Sequence, residues 1–137
     1  MKNRREFLSL GLASFAAMAM LKQQKTPVGV GINTLSVWDL PPINLNGWEA
    51  AIRELTFPPG LESPKHTHTG FVLGYVLEGK FRFQVEGRPE VVLSAGETFY
   101  EPPGAIHLHS GSASLTQSAR VLVVGFGEKG KEFTKTL

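Results

Sequence analysis

The stretch Gly60–Gly79, GLESPKHTHTGFVLGYVLEG, decides how the chain is read. It places His66 and His68 one residue apart, just before the apolar run Phe71–Leu77. In an extended chain, residues two apart point to the same face. Two imidazoles on one face can chelate one metal ion, and neutral imidazole suits Zn, Cu, Fe and Ni. A second pair with the same spacing, His107 and His109, follows the turn Glu101-Pro102-Pro103-Gly104. A single His-x-His is often only a polar strand end. Here the two pairs use all 4 histidines of the chain, which points to a shared metal site.

The surrounding sequence reads as short strands. Phe71–Leu77 is nearly continuous in apolar residues, as in a strand buried on both faces, with Gly74 where a side chain would crowd a neighbour or ligand. After the Glu78-Gly79 turn, Lys80–Glu86 alternates strictly, with Phe81, Phe83 and Val85 on one side. Glu90–Leu93 and Thr98–Glu101 are further strands, and another starts at His107. Ser110–Ser118 reads as a polar loop, and Arg120–Phe126 as a long apolar strand. Upstream, Trp48–Phe57 is a strand with Ala50, Ile52 and Glu54 on one face and Trp48, Ala51 and Arg53 less cleanly sorted. Val28–Leu35 is an edge strand or arm, and the charged tail beyond Gly127 reads as a frayed end. Turn signals every eight to twelve residues and no helical pattern after residue 21 predict an all-β sandwich or barrel.

Two motifs carry a family resemblance. Gly60, His66, His68 and Tyr75–Gly79 resemble the first cupin motif; Gly96, Pro102, Gly104 and His107 resemble the second. The resemblance implies a double-stranded β-helix, the jelly-roll barrel, over residues 48–127. It also implies metal ligation by His66, His68 and His107. The family's usual fourth ligand is a glutamate separated from the second histidine by three or four residues, where this chain has Val72 and Leu73. Glu78 belongs to the turn. His109 shares the parity of His107 and so is expected inside the barrel as a further ligand or a proton carrier. Glu101, at the mouth, is expected to bind the metal or move protons. Gln84 is a weaker candidate, because Lys80 and Arg82 share its face. Tyr75, Phe71, Phe81, Phe83 and Phe99 either line a pocket or pack the core.

The 137 residues suffice for one domain. Without cysteine, any metal site must use nitrogen and oxygen ligands. Residues 1–21 read as a leader: a charged start, then an uncharged segment too short for a confident membrane span. Arg4-Arg5 before Phe7-Leu8 resembles a twin-arginine export signal, with Ala17-Met18-Ala19 as a cleavage site. Alternatives are a packed amphipathic helix or an uncleaved anchor. The expected destination is the periplasm or another exported location. Residues 22–47 form a linker and N-terminal arm, and 128–137 the tail. Cleavage near Ala19 removes three basic residues and one acidic residue, leaving 11 of each sign. Nothing then suggests a nucleic-acid partner. Val28–Leu35 and Arg120–Phe126 suit pairing with a second copy in a homodimer, unless they lie within one sheet of a monomer.

Three neutral imidazoles leave a divalent ion's charge uncompensated, which favours an anionic oxygen ligand such as an enolate, phenolate or carboxylate. The reading is a metal-dependent, oxygenase-like enzyme acting on a small anionic or enolisable substrate. Fe(II) is the expected ion, with Zn, Mn and Ni as alternatives. Three-histidine cupins that act as oxygenases support this by resemblance. A non-enzymatic barrel capturing a small molecule or metal competes with it. A metal-free acid–base cupin is a third reading.

Overall fold

Alternation along β4 (Lys80–Val85) shows how the core is built. Phe81, Phe83 and Val85 are buried while Arg82 and Gln84 between them are half-exposed. The computed structural model describes residues 31–137, so the leader and Val28–Val30 lie outside the described residues. Every strand falls within one compact unit, Thr34–Leu137. The others are β1 (Trp48–Phe57), β2 (His66–His68), β3 (Phe71–Glu78), β5 (Val91–Ser94), β6 (Thr98–Glu101), β7 (Ile106–Ser112), β8 (Ala119–Glu128) and β9 (Thr134–Thr136). They form two antiparallel sheets, ordered β1-β8-β3-β6 and β5-β4-β7-β2-β9. No helix occurs among the described residues, and the expected all-β jelly roll is the fold. No strand forms over residues 31–35.

The inner faces of the two sheets meet in one core. Val72 and Val76 of β3, Phe81, Phe83 and Val85 of β4, Phe99 of β6, and Val121 and Val123 of β8 interlock there. Phe81 and Phe83 each lie 5.0 Å from Phe99 between ring centroids. Burying each such side chain contributes about 1.5–3 kcal/mol. Gly74 sits directly under the Phe99 ring, the close approach its sequence position suggested.

Several expectations change. Strand β3 is two-faced: Val72, Gly74 and Val76 are buried, whereas Leu73, Tyr75 and Leu77 are half-buried. Phe71 lies opposite Phe126 of β8 and stacks on it at 4.6 Å, on the face away from the core. The ladder extends β7 through Ser112, so the expected polar loop is shorter. Ser110 and Ser112 pair with Phe83 and Phe81, and the Ser112 hydroxyl donates to the Gln117 carbonyl at 2.8 Å. Strand β8 lies between β1 and β3, with no free edge to offer a second copy. The tail is not frayed: β9 pairs with β2, and Thr69 donates through its backbone to Phe133 at 3.0 Å.

Replacing Gly74 by alanine forces a methyl group into the Phe99 ring. We predict a loss of about 1–3 kcal/mol in urea unfolding, the usual range for overpacking, with Gly31→Ala as a reference where a methyl group meets nothing.

Candidate metal centre

Strand β2 is only three residues long, and neighbours hold it on both edges. On one side His66 pairs with His107 and Thr67 with Ile106; on the other His66 pairs with Thr136 and His68 with Thr134. Directly paired residues share a face. The His66 and His107 rings therefore stack at 4.6 Å, and His68 meets both nearly edge-on at 5.0 and 5.2 Å. One nitrogen from each ring lies within 4.8 Å of the other two. Gly104, at φ 71°, donates its N–H to the His68 carbonyl at 3.0 Å and so ties the second motif's turn to the first motif's strand.

The hydrogen bonds set which nitrogens are available. His66 Nδ1 is 2.7 Å from the Pro64 carbonyl, which can only accept, so Nδ1 carries the proton and Nε2 is bare. His68 Nδ1 meets the Thr134 hydroxyl at 3.0 Å and turns Nε2 towards Glu101. His107 is 1% exposed, and neither of its ring nitrogens has a hydrogen-bond partner. Burial is the main cause that pushes its pKa down to about 4; Glu101 opposes the shift, and His66 and His68 add to it. It is a neutral imidazole at pH 7.

Glu101 brings a carboxylate to the side of this group. It stands directly across the ladder from Val72, one of the two positions where the family motif carries its glutamate. Its Oε2 lies 3.2 Å from His68 Nε2 and 3.3 Å from His107 Nε2, and it is 5% exposed. Neither contact has hydrogen-bond geometry, so Glu101 Oε2 and His107 Nε2 are buried without partners. Native proteins seldom leave such atoms unsatisfied. Three imidazole nitrogens converging in this way fit a divalent cation, with Glu101 beside two of them.

His109 does not join them. Between Gln84 and Val85 the β4–β7 ladder slips: Gln84 faces His109, but Val85 faces His107. The extra residue, Leu108, is a β-bulge, which reverses the parity that would have turned both histidines inward. His109 points out of the barrel, with Nδ1 2.9 Å from Glu62 and Nε2 3.5 Å from Arg82. There Arg82 also bridges Glu62 and Glu90 and lowers the pKa of Glu90. Gln84 shares this outer face and donates to the Arg88 carbonyl.

A cavity of about 370 Å³ opens beside the centre, lined by His66, His68 and Glu101 and also by Arg53, Phe133 and Thr134. Phe71, Tyr75, Phe81, Phe83 and Phe99 do not line it; they pack the core or the outer sheet face. Phe133 stacks on His68 at 4.7 Å. The sequence reading missed Phe133, Thr134 and Arg53. Arg53 carried a signal: it shares its parity with Ala51, Leu55 and Phe57, on what proves to be the inward side of β1.

The metal-free protein should lose stability as pH falls. The unfolded chain protonates His107 near pH 6.5, whereas the folded protein resists until about 4. The unfolded state therefore binds the extra proton between these values, and stability drops through that window. At 1.36 kcal/mol per unit, urea unfolding should show a loss of about 2 kcal/mol between pH 7 and 5. His107→Gln should flatten this slope.

No curated protein sequence matches the chain. Among solved structures, the lyase DddQ for DMSP from Ruegeria pomeroyi DSS-3 is similar, with TM-score 0.56 and 24% identity over 64% of this chain and 42% of that one. This chain thus spans well under half of that protein. A predicted oxalate decarboxylase from Thermotoga maritima aligns with TM-score 0.50 and 25% identity over 58% of this chain and 67% of its own. An oxalate oxidase bound to the substrate analogue glycolate aligns with TM-score 0.54 and 19% identity over 80% and 66%. The Cupin domain family model matches residues 53–125, more than half of the chain. With both histidine-bearing motifs inside that match, the chain belongs to the cupin family.

Proposed function

We propose that this cupin is a divalent-metal enzyme with oxygenase-like activity on a small anionic or enolisable substrate, and that Fe(II) is its metal. One observation carries the reading: three imidazole nitrogens lie within 4.8 Å of one another, and two of the rings, His66 and His68, line an open cavity. A bound Fe(II) would supply Lewis acidity and redox chemistry there. The chain's own residues do the rest. The Pro64 carbonyl fixes the His66 tautomer, Thr134 orients His68, and burial keeps His107 neutral. Glu101 is the only carboxylate among the residues lining the cavity. In this reading the Glu101 carboxylate takes a proton from the substrate's O–H or C–H. The likeness to a predicted oxalate decarboxylase at 25% identity supports a small anionic substrate.

A non-enzymatic metal-binding barrel is the alternative. The approach of Glu101 to His68 and His107 favours it, because a glutamate joining three histidines would close a four-donor zinc site. Export through the leader also belongs to this proposal, on the strength of Arg4-Arg5 and the apolar segment after it. So does a homodimer. Ile52, 71% exposed on the outer face of β1, and Val37, 83% exposed in the arm, leave apolar surface for a second copy to cover.

Oxygen uptake by Fe(II)-loaded protein, screened on flavonols, β-diketones, catechols and small carboxylic acids, tests the enzymatic reading. We expect turnover on at least one class, and a fall of about 10²–10⁴-fold in Glu101→Gln, as for loss of a general base. No uptake with iron bound, together with a tetrahedral spectrum for the Co(II)-substituted protein, would leave the binding barrel in its place.

A further inference from the structure

We infer that Arg53 anchors the substrate, and that the substrate is a small organic acid held by its carboxylate. This rests on the metal-centre reading above and adds the class of molecule bound there. Arg53 lies opposite Val123 in the β1–β8 ladder, so its side chain leaves the sheet on the side of the core. It lines the same cavity as His66, His68 and Glu101.

Arg53 is solvent-exposed where it lines the cavity, so it meets an entering ligand without a desolvated partner to displace. The barrel's other strand arginines are already engaged: Arg82 holds Glu62 and Glu90, and Arg120 holds Glu54 and Glu78. Arg53 has no ion-pair or hydrogen-bond partner from its side chain among the described residues, although Glu49 and Glu128 line the adjoining cleft. Its guanidinium instead lies over the Phe133 ring, 5.9 Å from the centroid. Phe133 in turn stacks on His68. One aromatic ring thus links the cation to the metal centre. The glycine at 125 makes room for the arrangement: a Cβ there would approach Phe133 at 2.9 Å and Arg53 Nη1 at 3.6 Å.

The charges agree with this assignment. A divalent ion at the three histidines would attract an anion to this cavity. A guanidinium in the same cavity adds a second positive group, and its planar fork matches a carboxylate through two parallel hydrogen bonds. Arg53 is therefore a positioning and specificity residue; it does not take part in the chemistry.

The test uses full-length protein loaded with Zn(II), which has no redox turnover, and calorimetric titration with succinate. The neutral diamide succinamide is the control. Metal content is measured in every sample. Arg53→Met should weaken succinate binding by about tenfold or more, leave metal content unchanged and have no effect on succinamide. Arg53→Lys, which keeps the charge but not the fork, should fall between. Equal succinate binding by Arg53→Met and wild type, with zinc bound in both, would overturn the anchor alone. Wild-type protein that takes up no zinc would instead overturn the metal-centre reading, and this inference with it.

Discussion

The centre depends on a three-residue strand being clamped from both sides. Strand β2 is too short to hold its own geometry. Its pairing with β7 brings His66 and His107 face to face, and its pairing with β9 keeps it flat against that neighbour. The tail adds further ties: Leu137 donates to the Lys65 carbonyl at 2.9 Å, and the Thr69 hydroxyl to that of Glu132 at 3.1 Å. Sites built on rigid elements hold their donors more closely than sites on loops. Here the rigidity comes from the last residues of the chain, closing a barrel whose first ligand strand lies about seventy residues earlier.

The second constraint is electrostatic. His107 is buried against two half-buried imidazoles, and burial keeps it neutral. Three neutral rings around a divalent ion would leave its full charge in a low-dielectric site. A carboxylate reduces it. Because β3 has valine where the family motif carries its acid, the carboxylate that could do so stands across the ladder, where Glu101 faces Val72. The antiparallel register makes the two positions near-equivalents in space. A motif read along one strand does not show such an exchange; the pairing of two strands does.

Much of the fold was legible because it rests on local periodicity. The alternation of Phe81, Phe83 and Val85 appears in the structure as read, and the paired histidines marked β2 and β7. What was not legible depended on long-range pairing. One inserted residue, Leu108, turned His109 out of the barrel to Glu62 and Arg82, and no sequence period announces a bulge. The charged tail looked unstructured because its pairing partner, β2, lies so far upstream. The aromatic residues of β3 were open to pocket lining or core packing, and parity sends Phe71 and Tyr75 to the outer face instead. Arg53 was read only as a less cleanly sorted residue of β1, because an arginine in an exposed strand is usually a solvated one.

The most direct test of the metal centre is elemental analysis of protein purified without an affinity tag, in wild type, His107→Ala and His109→Ala. The account predicts near-stoichiometric divalent metal in wild type and in His109→Ala, and its loss from His107→Ala. Wild-type protein that stays metal-free after anaerobic incubation with Fe(II), Mn(II), Ni(II) and Zn(II) would contradict it, as would metal lost from His109→Ala alone.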